Sequence, residues 1–245
     1  MQMDISKWIQ FNPKITVEQT TKKYFGKYLF KIVVYCPAGR LIDSKGSMND
    51  ALIHRREVHK SINYGGYWGN RNNKNLDKAD VEFLEVLREL RNNDLLGIKL
   101  RVEEPSVQIY AESEEKLYEI VTKYFSHLQN NYITAIAGPV DKNAEDILNS
   151  GAIIRKKDVG YTHKIIIRDG RYGTDLKQNL LVYLESMGPE IAKVSKSGTE
   201  LLRKSSGYIW NLYVYTNDPS IVTFLNLIDP NLVLNCHQLI VKPHK

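Results

Sequence analysis

The sequence predicts an α+β protein assembled from two copies of one strand-helix-strand-strand-helix-strand unit. Three observations predict it. Two β-branched runs, Lys31-Ile32-Val33-Val34 and Lys164-Ile165-Ile166-Ile167, are each followed by a glycine turn, at Gly39-Arg40-Leu41 and Gly170-Arg171-Tyr172. Later in each half a strand ending in tyrosine, Val107 to Tyr110 or Tyr213 to Tyr215, leads to a helix-capping residue, Ser113 or Asp218. The helix that follows then returns to an apolar strand near a proline: Ile133 to Ala137 before Pro139, and Leu239 to Val241 before Pro243.

Taken in order, residues 1–27 read as a leading arm with Lys7, Lys14, Lys22, Lys23 and Lys27 among scattered apolar residues. The first unit spans 28–140. Its first strand is followed by an insertion at 36–75, far longer than a standard connection. Val81, Leu84, Leu87 and Leu90 then recur at helical spacing. Lys99 to Val102 gives a strand, which Glu103-Glu104-Pro105 turns into the next. The second helix carries Leu117, Ile120, Val121 and Phe125 on one face. Residues 141–160 form a linker with a short helix at Ala144 to Leu148.

The second unit spans 161–245. Leu176, Leu180, Leu181 and Leu184 make its first helix, stopped by Gly188-Pro189. Ile191 to Val194 is a short strand and Tyr208 to Tyr215 a longer one. Asp218 caps the last helix, with Pro219 at its first position and Ile221, Val222, Leu225 and Ile228 on its apolar face. This order, met twice, is the split βαβ of tandem ferredoxin-like repeats: an antiparallel sheet with two helices on one face.

Composition sets the partners to be considered. The net charge of +6 and pI near 9.1 suit a polyanion. No apolar run approaches the roughly 18 residues of a membrane span, and no secretion signal is expected at the N-terminus. Cys36 and Cys236 make too thin a framework for a secreted fold, so a cytoplasmic, reducing setting is expected.

The most unusual stretch is the insertion. Arg55, Arg56, Lys60, Arg71 and Lys74 surround Tyr64, Tyr67 and Trp68 among glycines and asparagines. Basic side chains neutralise phosphates while aromatic faces stack bases. A second aromatic feature is the strand from Gly207 to Tyr215. Gly207, Tyr208 and Trp210 loosely match the aromatic strand of an RNA-recognition motif, whereas Ser206 and Asn211 depart from it. Alternation puts Tyr208, Trp210, Leu212 and Val214 on one face and Ile209, Asn211, Tyr213 and Tyr215 on the other, with either open to being core.

Signals for catalysis are weak. His54 and His59 lie five apart, which does not align two metal ligands on one helix face. Glu103 and Glu104 are adjacent, so a strand points them to opposite sides. Gly198-Thr199-Glu200, with Lys193, Lys196, Arg203 and Lys204 nearby, reads either as an anion-gripping helix start or as a plain lysine-rich connection. The expectation is therefore a non-catalytic protein that binds single-stranded RNA or DNA and needs no cofactor or metal. Its candidate contacts are the eight basic and aromatic residues of the insertion with Tyr208 and Trp210. The alternative is an assembly subunit of a viral or other large complex, or a homo-oligomer, in which arm and insertion clasp neighbouring copies.

Overall fold

The computed structural model describes residues 3–36, 38–43, 46, 48, 50, 78–93, 97–103, 105–126, 132–204 and 207–242. The chain is α+β and divides into two compact units, residues 1–145 and 146–245.

In the first unit, helix α1 (Ile5–Ile9) and strand β1 (Thr16–Gln19) come from the segment read as an arm. They are followed by β2 (Phe30–Tyr35), a 3-10 turn (Gly39–Asp43), α2 (Lys78–Asn92), β3 (Lys99–Glu103), β4 (Ser106–Ala111), α3 (Glu114–Phe125) and β5 (Ile133–Gly138). The five strands form one sheet in the order β1-β5-β2-β4-β3. Of its four strand pairs, β1–β5 is parallel and the others are antiparallel.

Alternation decides the faces. In β2, Phe30, Ile32 and Val34 are buried while Lys31, Val33 and Tyr35 are less so. Ile32 pairs with Ile109 and Val34 with Val107, and all four are inaccessible to solvent. Helix α3 packs over this side, with Leu117, Ile120 and Val121 buried. Burying each such side chain stabilises by about 1.5–3 kcal/mol. The hydroxyl of Ser113 accepts from the Lys116 N–H at 3.2 Å and starts α3 where the sequence expects it.

Helix α4 (Lys142–Asn149) spans the point in the chain where the first unit ends and the second begins. The second unit runs β6 (Ile153–Arg155), β7 (His163–Ile167), β8 (Gly170–Arg171), α5 (Thr174–Ser186), β9 (Ala192–Val194), α6 (Lys196–Arg203), β10 (Tyr208–Ile209), β11 (Tyr213–Thr216), α7 (Ile221–Ile228) and β12 (Val233–Val241). Its main sheet has the order β6-β12-β7-β11-β9, with β6–β12 parallel and the rest antiparallel. Strands β8 and β10 form a separate two-stranded ribbon. Ile165, Ile167 and Val214 build the core with Leu180, Leu181 and Leu184 of α5 and Ile221 and Leu225 of α7.

Two local differences from the sequence reading have clear causes. The expected strand from Tyr208 to Tyr215 is broken at Asn211, whose φ is 54°. Asparagine tolerates this left-handed geometry, and its N–H is held by Asp169 Oδ1 at 2.8 Å. The break shifts the phase, so Ile209 and Leu212 are both buried. The last helix begins at Ile221, because the Asp218 carboxylate accepts from the Ser220 N–H at 2.9 Å and closes a turn before the helix.

Candidate nucleic-acid interface

Residues directly opposite each other on antiparallel strands project from the same face. In the second unit Val214 opposes Ile165 on the core side. The neighbours in register therefore point the other way: Tyr213 opposes Ile166, Tyr215 opposes Lys164 and Lys193, and His237 opposes Lys164. A row His237–Lys164–Tyr215–Lys193 thus crosses four strands on the face turned away from the core.

Aromatic rings flank this row. Tyr213 lies edge-on to Tyr215, with ring centres 5.2 Å apart. Tyr161 stacks on Tyr215 at 6.0 Å and an interplanar angle of 16°. The Lys164 ammonium sits 3.8 Å from the Tyr213 ring centre and 5.9 Å from that of Tyr215, within reach of a cation–π attraction. All three tyrosines are half-buried.

The turn carrying Tyr161 is itself held in place. Asn217 Oδ1 accepts from the Thr162 N–H at 3.0 Å, and Asn217 Nδ2 donates to the carbonyls of Gly160 at 3.2 Å and Glu190 at 3.0 Å. The Tyr161 hydroxyl donates to the Pro189 carbonyl. Chemically, the result is a set of ring faces with ammonium groups beside them, a combination suited to planar bases on a phosphate backbone.

The first unit repeats the constellation. Tyr110 opposes Lys31 on one side and Lys99 on the other. Tyr28, three residues before Lys31, lies 6.4 Å from the Tyr110 ring, as Tyr161, three before Lys164, approaches Tyr215. Here, however, Tyr24 and Phe25 also cover Tyr110, at 5.1 and 5.0 Å. Tyr110 is left only 3% exposed. That burial, with the Glu103 charge second, pushes its phenol up to about 12.

A polar chain adjoins it. The Tyr110 hydroxyl donates to Gln108 Oε1, and Gln108 Nε2 donates to Glu103 Oε2 at 2.6 Å. Arg101 Nε is 2.8 Å from Glu103 Oε1. The Glu103 carboxylate is thus engaged by its own sheet, while Glu104 lies outside the described residues.

Arg55, Arg56, Lys60, Tyr64, Tyr67, Trp68, Arg71 and Lys74 likewise lie outside the described residues, with most of the 36–75 insertion. Tyr208 and Trp210 are described, and both are exposed, at 47% and 60%. They belong to the β8–β10 ribbon and the kink after it, not to the β11 row. Sequence alternation did separate Tyr213 and Tyr215 from Val214, and the buried core shows which set faces outward.

Several of the remaining residues have structural partners, whereas His54 and His59 lie outside the described residues. The N–H of Gly198 donates to Ser195 Oγ at 3.1 Å, so the start of α6 is capped by its own chain. A side chain at Gly198 would meet Leu212 Cδ1 at 2.5 Å, which explains the glycine by close packing. His163 Nδ1 lies 2.9 Å from Thr162 Oγ1, and His237 Nδ1 donates to the Gly151 carbonyl at 2.8 Å. Cys36 is buried, and partial burial raises the Cys236 thiol. Among the described residues, no group of three His, Cys, Asp or Glu is placed to hold a metal ion, and no helix is long and apolar enough to cross a membrane.

Compared with known proteins, the chain matches no family model, no curated protein and no solved structure.

Proposed function

We propose that the protein is a non-catalytic binder of single-stranded nucleic acid and that the second unit's outward sheet face is a working surface. The observation that carries this is the Lys164–Tyr215–Lys193 row with Tyr213 and Tyr161 beside it. Bases stack on aromatic rings at about 1–3 kcal/mol each, and adjacent ammonium groups displace counterions from phosphates. Tyr208 and Trp210, exposed on the separate ribbon and the kink after it, offer further rings. The basic and aromatic residues of the 36–75 insertion belong to the same reading.

This reading includes the architecture. Setting aside β1 and β6, the strands of each main sheet follow the order fourth-first-third-second, all antiparallel. That order supports two ferredoxin-like units, each extended at one edge by a parallel strand.

Fluorescence anisotropy with labelled single-stranded pyrimidine RNA and DNA tests the proposal. Tyr215→Ala weakens binding about tenfold or more if one stacked base is lost. Absence of binding to either polymer at low salt overturns the reading.

A second reading, an assembly subunit, draws on the helices of the second unit. Leu227 is 78%, Val182 57% and Phe224 42% exposed, although α7 carries no charged residue. Light scattering that finds only monomer at high concentration removes it.

A further inference from the structure

The Tyr24–Tyr28 turn does in the first unit what nothing described does in the second: it lays two extra aromatic side chains, Tyr24 and the more exposed Phe25, over the lysine–tyrosine row. Lys27 N–H donates to the Tyr24 carbonyl at 3.0 Å, and Phe25 and Gly26 both have positive φ, 53° and 70°. This is the geometry of a tight turn that favours asparagine or glycine at its first central position. Phenylalanine is locally disfavoured there. Its ring nevertheless lies edge-on to Tyr110 at 5.0 Å, with the Lys99 ammonium 3.9 Å from its centre, and Phe25 remains 48% exposed. Lys31 is likewise drawn in, 5.5 Å from the Tyr24 ring centre and 3.3 Å from Glu18 Oε2.

A half-exposed ring, in a backbone conformation it disfavours and set between a cation and a tyrosine, fills space that a base would need in order to reach the row. We propose that Lys31–Tyr110–Lys99 is a second binding row for single-stranded nucleic acid, and that Phe25 occupies its base position and closes it. The inference rests on the proposed use of the Lys164–Tyr215–Lys193 row. It adds a site and a plug that this reading alone does not require. Opening needs no rearrangement of the sheet, because the plug sits on a turn outside the named strands.

The test is Phe25→Asn, which suits the turn backbone and removes the ring; Phe25→Gly serves the same purpose if the asparagine variant is not folded by circular dichroism. A labelled homopyrimidine oligonucleotide is titrated against wild type, Tyr215→Ala, Phe25→Asn, Phe25→Asn/Tyr215→Ala, and that double variant with Tyr110→Ala added. The expected result is that Tyr215→Ala loses about tenfold in affinity and Phe25→Asn restores most of it. Tyr110→Ala, where circular dichroism finds the triple variant folded, then abolishes the restored binding; where it is not folded, Lys99→Ala in its place does so. If the folded double variant binds as weakly as Tyr215→Ala alone, the plugged row is wrong and the second-unit row stands. If Tyr215→Ala has no effect while Phe25→Asn adds binding that Tyr110→Ala removes, the reverse holds.

Discussion

The indole Nε1 of Trp8 donates to Glu114 Oε1 across 2.8 Å, inside the first unit, where Trp8 is inaccessible to solvent and Glu114 is 4% exposed. The same carboxylate accepts from the Asp4 N–H at 3.1 and 3.2 Å. Glu114 opens helix α3, so its charge also lies at the positive end of that helix. One side chain therefore ties the start of the chain to a helix more than a hundred residues later.

Glu114→Ala leaves the indole and the Asp4 N–H without their acceptor. The expected loss is about 1–3 kcal/mol of stability, seen as a lower urea midpoint with little change of slope. A midpoint equal to wild type contradicts the anchoring role.

Gly198→Ala drives a methyl group against Leu212, whose Cδ1 would lie 2.5 Å away, and against Val194 Cγ1 at 2.9 Å. Overpacking of this kind costs about 1–3 kcal/mol. A lower melting temperature is expected, and one equal to wild type contradicts the close packing.

Tyr110 gives the fold an alkaline limit. Its phenol is raised from 10.0 to about 12, so the folded state keeps a proton that the unfolded state releases. The stabilisation is whole below pH 10 and is lost as the pH climbs through the folded value near 12. Tyrosinate absorbance of wild type minus Tyr110→Phe should show one late-titrating phenol, and the variant's stability should fall less steeply across that window.

Lys193→Ala and Lys164→Ala should each lower the salt dependence of oligonucleotide binding, by about one unit of slope for each phosphate no longer neutralised. Trp210→Ala, at an exposed position, should change stability by less than about 0.5 kcal/mol while weakening the same binding. Unchanged salt slopes in both lysine variants count against phosphate binding at this row.

Much of the frame was legible because it depends on local pattern. The β-branched runs at Lys31 and Lys164 form strands, and Ser113 caps its helix through a hydroxyl contact that spacing alone anticipates. The row chemistry was harder to see. Lys31, Tyr110 and Lys99 become neighbours only through cross-strand register, although the recurrence of tyrosine three residues before lysine, at Tyr28/Lys31 and Tyr161/Lys164, was available in the sequence. The break at Asn211 was missed because it depends on a distant partner, Asp169. The capped start of α6 was ambiguous because small residues serve both close packing and anion binding, and only Leu212 decides between them.

The parallel edge pairs bear on how the chain comes to fold as it is synthesised. Among the described residues β6, at Ile153–Arg155, has its one sheet neighbour in β12, at Leu239–Val241. β12 is also the antiparallel partner of β7. Until the ribosome has released residue 241, β6 has no ladder and one side of β7 is an open edge. Such contacts between distant stretches of chain are slow to form, and open edges recruit wrong partners. A ribosome stall or a premature stop just after α7 should therefore yield an aggregation-prone product and not a smaller folded one.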